Sequence, residues 1–495
     1  MYLYLAVIAS AALMWAAFPP LDLGPLAFVA AAPFFWAIRR VERPSEAATV
    51  GFVWGILFFG GLLWWISVLG TVAWVPLTIF MASMFTAYAL WVWTFRLWTP
   101  WRWWLVAIGG WALMEFLRAR FPFGGFPWGS LGYAAGGSGP MIGSVQWIGP
   151  SGWSVLAIAF AAGLALFVED RKNWRFIVDP GVVIVLLGIA GSFFAPTAEG
   201  QALRVAIVQG NSPCPMVHCQ NENERIYRSH LELTRTIPAG GADLVVWAEN
   251  SFGPPFEPEG NDTVRNELIE EASRIGAYLL VSGTRLVGDD GFLNVNVLFS
   301  PEGVQVGEYA KRHPVPFGEY VPLRKLLGFI PQLDQIPRDM VPGTDAIVFP
   351  TPQGTIGSVI SFEGAFDRSI RSVVRAGADV LVVATNESSF DVSPASDQLI
   401  GMTRVNAAAV GQDLVHAAIT GRSAFIRADG TVGERTGLFE ATILYGLVQM
   451  RVAGPTIFTR FGDWVMLLSF LGIALAVFWP GEGSLESRLV ARREA

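Results

Sequence analysis

The stretch GTIGSVISFEGAFDRSIRS, residues 354–372, has the pattern of a strand, a sharp turn and a helix in direct succession. Small and β-branched residues run up to Ile360, and a charged, helix-like segment follows Glu363. Several hydrolase folds present a nucleophile at such a strand-to-helix turn. The stretch therefore predicts an α/β domain in this part of the chain, with Ser361 at the turn.

Further short apolar runs surround this stretch between residues 197 and 462. They alternate with amphipathic stretches such as NENERIYRSHLELTRTI and DTVRNELIEEASRIG. Strands that are apolar on both faces and alternate with helices are typical of a layered α/β domain. The predicted strands are LRVAIVQGN, ADLVVWAEN, AYLLVSGTR, LNVNVLFS, GTIGSVISFE, ADVLVVATNE, DLVHAAITG and RSAFIRADG.

The composition of the whole chain indicates a membrane protein. Of the 495 residues, 53% are hydrophobic and only 15% are charged, whereas soluble chains carry nearer a quarter of charged residues. We therefore predict a membrane domain of about seven helices over 1–196, the α/β domain over 197–462, a C-terminal transmembrane helix over 463–480 and a cytoplasmic tail over 481–495. The apolar stretches behind this prediction lie at 3–18, 24–38, 50–70, 73–95, 103–118, 152–168, 180–196 and 463–480.

The basic residues of the short loops predict the orientation in the membrane, because Arg and Lys mark the cytoplasmic side. Alternate loops are nearly free of them, apart from Arg118 and Arg120. With both termini cytoplasmic, this pattern predicts that residues 197–462 lie on the extracytoplasmic (periplasmic) side of the cell membrane. A signal peptide is the alternative interpretation of 1–18, but FPPLDLGP lacks a small-residue cleavage site, so we expect a retained helix. The basic clusters are Arg39, Arg40, Arg43; Arg96, Arg102; Arg171, Lys172, Arg175; and Arg488, Arg492, Arg493.

Charge and cysteine content exclude some classes of function. The net charge of −7 argues against nucleic acid as a partner. Cys214 and Cys219 define neither a disulfide framework nor a zinc site. CPMVHC would allow metal ligation with His218, but a local disulfide or two free thiols are the favoured interpretations. We expect no metal and no organic cofactor.

Three polar residues stand where predicted strands end. Glu249 follows ADLVVWA, Lys311 follows QVGEYA, and Ser361 follows GTIGSVI. A carboxylate, an ammonium group and a nucleophile are the groups that acyl transfer needs: a base, a cation for the oxyanion and an attacking atom. Each signal is weak by itself, because a cap, a surface charge and a turn residue would look the same.

The sequence motifs around Glu249, Lys311 and Ser361 make the signal of the three residues more specific. VVWAEN, YAKRHPVPFGEYVPL, SVISFEGAF and VVATNESSF occur in this order, and together they resemble the nitrilase (carbon–nitrogen hydrolase) superfamily. KRHPVPFGEYVPL is particularly similar to the membrane-bound branch, the apolipoprotein N-acyltransferases. AAFPPLDLGPLAF, GFVWGILFFGGLLWW and WALMEFLRARFPFGGFPWGSLGY resemble the membrane signatures of that family. The resemblance covers nearly the whole chain.

The resemblance implies an α-β-β-α sandwich and a Glu–Lys–Cys triad. Glu249 then corresponds to the general base, Lys311 to the oxyanion-stabilising lysine, and Glu319 and Glu363 to supporting carboxylates. Ser361 occupies the place of the catalytic cysteine. Ala248, Ser389 and Ala409 depart from the family in the same region, where proline, tryptophan and glutamate are usual.

The family's function implies that an acyl chain passes from a membrane phospholipid to the S-diacylglyceryl cysteine heading an apolipoprotein, through an acyl-enzyme intermediate. An alternative is a catalytically impaired protein that binds lipoproteins or a membrane glycosyltransferase. A membrane-tethered amidase with water as acceptor is a third hypothesis. Serine slows both half-reactions of a triad shaped for sulfur, because a thiolate forms more readily than an alkoxide. Ser361 is therefore an engineered replacement, a natural variant with slow or altered activity, or the mark of lost catalysis, and the drift at other motif positions favours a natural variant.

Overall fold

The structure, a computed structural model, describes residues 2–215 and 219–479. The chain divides into two compact units. One is formed by the residues up to Phe194 and those from Phe461 on, and the other is Ala195–Arg460. The predicted tail over 481–495 and the last residue of the predicted helix over 463–480 lie outside the described residues.

The first unit is helical, and its helices begin and pack as the sequence suggests. Pro44 and Pro100 stand at the start of their helices, where a missing N–H costs nothing. Gly55 allows two helices to approach closely, since a Cβ there would lie 2.5 Å from the Cα of Ala82. The helices are α1 (Tyr2–Ala16), α2 (Ala32–Ile38), α3 (Pro44–Leu62), α4 (Thr71–Thr94), α5 (Pro100–Arg118), α6 (Leu131–Gly136), α7 (Val145–Glu169) and α8 (Arg175–Phe193).

The second unit contains two mixed sheets. One has the strand order β13-β1-β2-β3-β4-β5, with β6 beside β4, and the other the order β12-β11-β10-β9-β8-β7. Its strands are β1 (Ala202–Gln209), β2 (Leu244–Trp247), β3 (Tyr278–Val287), β4 (Gly291–Phe299), β5 (Gln305–Ala310), β6 (Asp339–Met340), β7 (Val348–Thr351), β8 (Gly354–Ile360), β9 (Val380–Thr385), β10 (Leu414–Ala418), β11 (Ala424–Ile426), β12 (Val432–Arg435) and β13 (Thr442–Gln449).

Helices cover the outer faces of both sheets. The helices in this part of the chain are α9 (Glu222–Arg235), α10 (Asp262–Ile275), α11 (Arg324–Leu327), α12 (Asp367–Arg375), α13 (Ala395–Val410) and α14 (Ile457–Phe461). α9 and α10 pack on the first sheet, and α12 and α13 on the second. Between the sheets lies a core in which Ile207 and Val246 meet Val382 and Val415. The layers are thus α-β-β-α, which confirms the predicted fold class of a helical part joined to an α/β domain.

Strand direction brings the predicted functional residues to one end of each sheet. β1 and β2 are parallel, with Val205 opposite Leu244. β8, β9 and β10 are parallel as well, with Ile356 opposite Val380. Parallel strands present their carboxyl ends at a common edge, where α/β folds place their sites.

Apolar helices lie at most of the predicted spans, although fewer of them have full length and α5, at the predicted span 103–118, is not among them. By length and composition, the described helices able to cross a membrane are four: Pro44–Leu62, Thr71–Thr94, Gly139–Glu169 and Arg171–Phe193. Shorter apolar helices cover Tyr2–Ala16 and Gly24–Ile38, and a further one, α15, covers Trp464–Phe478. The number of about seven spans in the first domain stays a prediction.

The two cysteines of CPMVHC are joined to each other as a disulfide, Cys214–Cys219. This agrees with one of the two favoured interpretations of the pair and corrects the other, two free thiols. A disulfide sulfur is no longer the thiolate that ligates metals. His218, the third residue of the metal hypothesis, lies outside the described residues.

Candidate active site

Glu249 lies at the carboxyl end of β2, two residues after Trp247. Its side chain is only 3% exposed. Oε1 accepts hydrogen bonds from Asn294 Nδ2 at 2.7 Å and from Lys311 Nζ at 3.3 Å. Oε2 accepts one from the backbone N–H of Asn386 at 2.6 Å. The carboxylate is therefore buried but well supplied with donors.

Lys311 directly follows β5 and is 1% exposed. Its backbone N–H donates to the carbonyl of Asn294 on the neighbouring strand, which fixes the chain where the side chain leaves it. Nζ lies 2.6 Å from Oε1 of Glu319 as well as 3.3 Å from Glu249. The ammonium group thus stands between two carboxylates.

Glu319 is held in turn by the loop that carries it. Its Oε2 accepts a hydrogen bond of 2.7 Å from the backbone N–H of Val315. Asn294 Nδ2 lies 3.3 Å from its Oε1 and so joins the two carboxylates. Glu319 is therefore a second carboxylate, beside Glu249, that holds the Lys311 ammonium group.

Charge and burial shape the proton affinities of this cluster. Burial raises the pKa of Glu249, Lys311 opposes that effect, and the nearby charge of Glu319 adds to it. Burial alone would lower the pKa of Lys311, but Glu249 and Glu319 outweigh it and raise that pKa above its usual value. Lys311 therefore stays protonated, and Glu249 beside it has an increased affinity for a proton.

Ser361 follows β8 in the left-handed region of the backbone, with φ of +54°. A residue with a Cβ is costly there, and such positions cluster at functional sites. The Thr385 hydroxyl lies 3.5 Å from Ser361 Oγ, at the long limit of a hydrogen bond. Among the described residues, neither Glu249 nor Lys311 forms a hydrogen bond with Ser361 Oγ. The partly exposed hydroxyl is therefore held loosely.

Glu363 ties the turn of Ser361 to the loop that begins at Lys311. It is fully buried, and its Oε2 accepts hydrogen bonds from Ile360 N at 2.9 Å and from the Tyr309 hydroxyl at 2.7 Å. Its Oε1 accepts from the backbone N–H groups of Arg312 and His313, at 3.0 and 3.1 Å. Burial raises the pKa of Glu363, and these donors oppose that effect.

The five residues singled out in the sequence are thereby brought to one region. Thr385 and Asn386 are consecutive, and the first contacts Ser361 while the second donates to Glu249. Glu363 links the Ser361 turn to the residues after Lys311. A carboxylate, an ammonium group and a hydroxyl therefore lie in the same region of the α/β unit, connected by these contacts.

Sequence reasoning missed three polar residues that complete this region: Asn294, Thr385 and Asn386. Asn294 lies in β4, within LNVNVLFS, where alternating asparagines in an apolar strand were a usable signal. Asn386 acts through its backbone N–H, which no side-chain motif reveals. The departures Ala248 and Ala409 are both completely buried.

His313 is a further half-buried titratable group next to the site. Its ring packs on the rings of Phe362 and Phe366, with a centroid distance of 4.2 Å to Phe366. Burial, together with the charges of Arg368 and Lys311, lowers the pKa of His313 to about 4. It is therefore neutral at neutral pH.

Two family models match the chain. The model of the apolipoprotein N-acyltransferase N-terminal domain matches residues 10–163, and that of the carbon-nitrogen hydrolases matches residues 204–458. The apolipoprotein N-acyltransferase of Geobacter metallireducens is 32% identical over 492 residues, covering 93% of this chain and 92% of that protein. The apolipoprotein N-acyltransferase of Nitrosomonas europaea is 29% identical, covering 92% of this chain and 93% of that protein.

Solved structures of other proteins match about half of the chain. An amidase from Nesterenkonia sp. is 16% identical and covers 55% of this chain and 98% of its own, with a TM-score of 0.38. A carbon-nitrogen hydrolase from Helicobacter pylori is 16% identical and covers 55% of this chain and 94% of its own, with a TM-score of 0.39.

Proposed function

Because the chain belongs to the apolipoprotein N-acyltransferase family and carries both of its domains, we propose that Glu249, Lys311 and Ser361 are the residues with which it N-acylates lipoproteins. The donor is a membrane phospholipid, and the acceptor is the α-amino group of an S-diacylglyceryl cysteine. One observation carries the assignment of roles. Glu249 and Lys311 are buried, they form a cluster with the half-buried Glu319, and Asn386 and Thr385 join this cluster to the strained turn of Ser361.

The first half-reaction acylates Ser361. Its Oγ attacks the ester carbonyl of the phospholipid and forms a new Oγ–C bond, while Glu249 takes the hydroxyl proton. The electron pair of the carbonyl moves to its oxygen, where the Lys311 ammonium stabilises the negative charge. Collapse expels the lysophospholipid oxygen, which receives the proton from Glu249.

The second half-reaction forms the amide. The lipoprotein amine attacks the acyl ester, and Glu249 takes a proton from nitrogen. Collapse breaks the Oγ–C bond, and Ser361 Oγ recovers the proton. Glu319 and Glu363 take part as positioning residues, because they contact Lys311 and the backbone around Ser361 rather than the reacting atoms.

The side of the membrane is part of the proposal. The distribution of Arg and Lys in the short loops favours an extracytoplasmic α/β unit, as described for the sequence. The Cys214–Cys219 disulfide supports the same side, because disulfides persist in oxidising compartments. Both substrates are anchored to lipid, so a membrane-bound enzyme meets them at the bilayer surface.

The alternative of a shell that only binds lipoproteins is not favoured by the family match, and the connected Glu249–Lys311–Glu319 cluster also argues against it. Ser361 is the residue that keeps the question open to experiment. The test incubates the purified full-length chain with phospholipid and a diacylglyceryl peptide, and follows the acylated protein and the N-acylated peptide by mass spectrometry.

Three forms are compared: wild type, Ser361→Ala and Ser361→Cys. We expect wild type to form an acyl adduct on Ser361 and N-acylated peptide, and Ser361→Ala to form neither. Ser361→Cys should work at least about tenfold faster, because a thiol is more readily activated and a thioester is the better acyl donor to nitrogen. If wild type forms neither product while Ser361→Cys forms both, the proposal that the natural chain N-acylates lipoproteins through Ser361 is wrong.

A further inference from the structure

A cavity lined by several charged side chains lies in the α/β unit, away from the site of Ser361. It has a volume of about 500 Å³, and its lining includes Arg375, Asp379, Gln412, Arg451 and Arg460. Asp379 immediately precedes β9, whereas Thr385, which contacts Ser361, ends that strand. The cavity is therefore at the opposite end of the second sheet from the acyl-transfer residues.

Arg451 is fixed in the cavity wall by the backbone. Nε donates to the carbonyl of Ala453 at 3.1 Å, Nη2 to that of Gly454 at 2.9 Å, and Nη1 to that of Gly411. The close approach to Gly411 depends on the absence of a side chain, since a Cβ there would lie 2.3 Å from Nη1. Burial lowers the pKa of Arg451, as it does for a cation without a nearby counter-charge.

The other two arginines are exposed at the mouth of the cavity. In residues 2–215 and 219–479, no acidic side chain forms an ion pair with Arg375 or Arg460. Asp379 is the acidic residue of the lining, and its Oδ2 accepts a hydrogen bond of 2.8 Å from Thr355 N. Three guanidinium groups face one carboxylate, so the cavity has an excess of positive charge.

Gln412 contributes an acceptor that nothing in the described chain satisfies. It is 3% exposed, and its Nε2 donates to the carbonyl of Ala378. Its Oε1 is buried and accepts no hydrogen bond from a described residue. Such an atom costs free energy unless a ligand or water donates to it.

These features indicate a ligand with an anionic oxygen group and a neighbouring hydrogen-bond donor. Guanidinium groups suit phosphate oxygens because of their planar, forked donors. The position of Arg460 in the sequence is a second argument for a lipid ligand. Three residues, 461–463, separate Arg460 from the apolar helix α15. Arg460 of the cavity lining is therefore close in the sequence to an apolar helix.

We propose that this cavity binds a phosphate ester that carries an O–H or N–H donor, the chemistry of a phosphatidylglycerol or phosphatidylethanolamine headgroup. Arg375, Arg451 and Arg460 bind the phosphate, and Gln412 Oε1 accepts from the alcohol or ammonium part. The site holds a lipid without acting on it. Its existence does not depend on the roles assigned to Ser361, Glu249 and Lys311.

The test measures lipid binding to the full-length chain in detergent by titration with native mass spectrometry. All forms carry Ser361→Ala, so that turnover plays no part. Arg375→Gln and Arg460→Gln together form the cavity variant, which is expected to fold because both side chains are exposed. Arg265→Gln and Arg435→Gln form the control, which loses the same charge elsewhere on the unit.

We expect phosphatidylethanolamine and phosphatidylglycerol to bind at least about tenfold more weakly to the cavity variant, since two charge-assisted contacts are lost. The control variant should match the parent. Phosphatidylcholine, which has no headgroup donor, should bind the parent more weakly, and diacylglycerol should not distinguish the forms. If inorganic phosphate at the same concentration as the lipid displaced the lipid, the cavity would be a phosphate site, but its ligand would be soluble rather than a lipid. Equal binding of the phospholipids by the cavity and control variants would overturn the proposal.

Discussion

A hydroxyl group at position 361 demands more of the surrounding residues than a thiol does. The reference pKa of a thiol is about 8.5, so a neighbouring base and cation easily produce a thiolate. A serine has to lose its proton during the attack itself, which requires a base with a real affinity for it. The raised pKa of Glu249 meets this need, and the ammonium of Lys311 remains available for the oxyanion.

These shifts predict the pH dependence of acyl transfer. Glu249 has to be ionised to act as a base, so activity falls as pH drops through its pKa, and that pKa lies above the usual 4.5. Lys311 has to stay protonated, and its pKa is raised above 10.5. The pH profile of kcat/KM should therefore lose activity on the acid side above pH 4.5 and keep it on the alkaline side up to pH 10.5.

His313 serves as the control for this profile, because its pKa of about 4 places its titration near the acid side. The variant His313→Gln should leave the acid limb in place, whereas Glu249→Gln should lower kcat/KM by about 10²–10⁴-fold and remove the limb. A loss of activity at alkaline pH well below 10.5 would contradict the ion pairs of Lys311 with Glu249 and Glu319.

Whether a site residue could be predicted from the sequence depends on whether it contacts the site through a side chain in a motif or through its backbone. Glu249, Lys311, Ser361, Glu319 and Glu363 were predicted because their side chains stand in motifs at strand ends. The donors around them were not predicted, because Asn386 acts through its backbone and the Thr385 hydroxyl contact arises only from the pairing of β8 with β9. Their roles in catalysis stay proposals until the variants are measured.

At the scale of elements, prediction worked best where apolar runs were short and bounded. The strands around Glu249, Lys311 and Ser361 appear as β2, β5 and β8. β13 was missed because TILYGLVQ has consecutive apolar residues rather than the alternation of a half-buried strand, yet it pairs antiparallel with β1 over the whole of both strands. α13 was missed because TRVNAAAVG is apolar on nearly every face and gives no helical periodicity.

The glycine that caps the C-terminal end of α13 leads to a prediction about the stability of the protein. Gly411 caps this helix with φ of +68°, and Gly276 caps α10 in the same way with φ of +73°. A Cβ at Gly276 meets nothing within 4 Å, whereas one at Gly411 would collide with Arg451. Gly276→Ala should lower the free energy of unfolding by about 1 kcal/mol for its backbone alone, and Gly411→Ala by clearly more.

Thermal unfolding of the two purified variants, each compared with wild type, measures the difference. The same pair also tests the lipid cavity, because only Gly411→Ala displaces Arg451 while leaving every charge in place. Gly411→Ala should weaken the binding of phosphatidylglycerol, and Gly276→Ala should not. Equal losses of stability in the two variants would mean that Arg451 adapts without cost.

For the whole molecule, the charge pattern of the loops and the disulfide point to the same orientation by independent physical routes. Loop arginines and lysines act during insertion, when positive charge is retained in the cytoplasm. The Cys214–Cys219 bond depends on the redox state of the compartment that the folded unit occupies. Helix length alone does not determine the topology, since α1 and α15 are shorter than a full span.

A labelling experiment distinguishes the two sides. Asp290, in the turn between β3 and β4, and Lys172, in the loop between α7 and α8, are both exposed. The native cysteines are bonded to each other, so a single new cysteine should be the main target of a membrane-impermeant maleimide. In intact cells with a permeable outer layer, Asp290→Cys should react and Lys172→Cys should not, and both should react after lysis. The reverse pattern would place the site of Ser361 in the cytoplasm, where the disulfide would be reduced, and the proposal of an extracytoplasmic acyl transfer would fail.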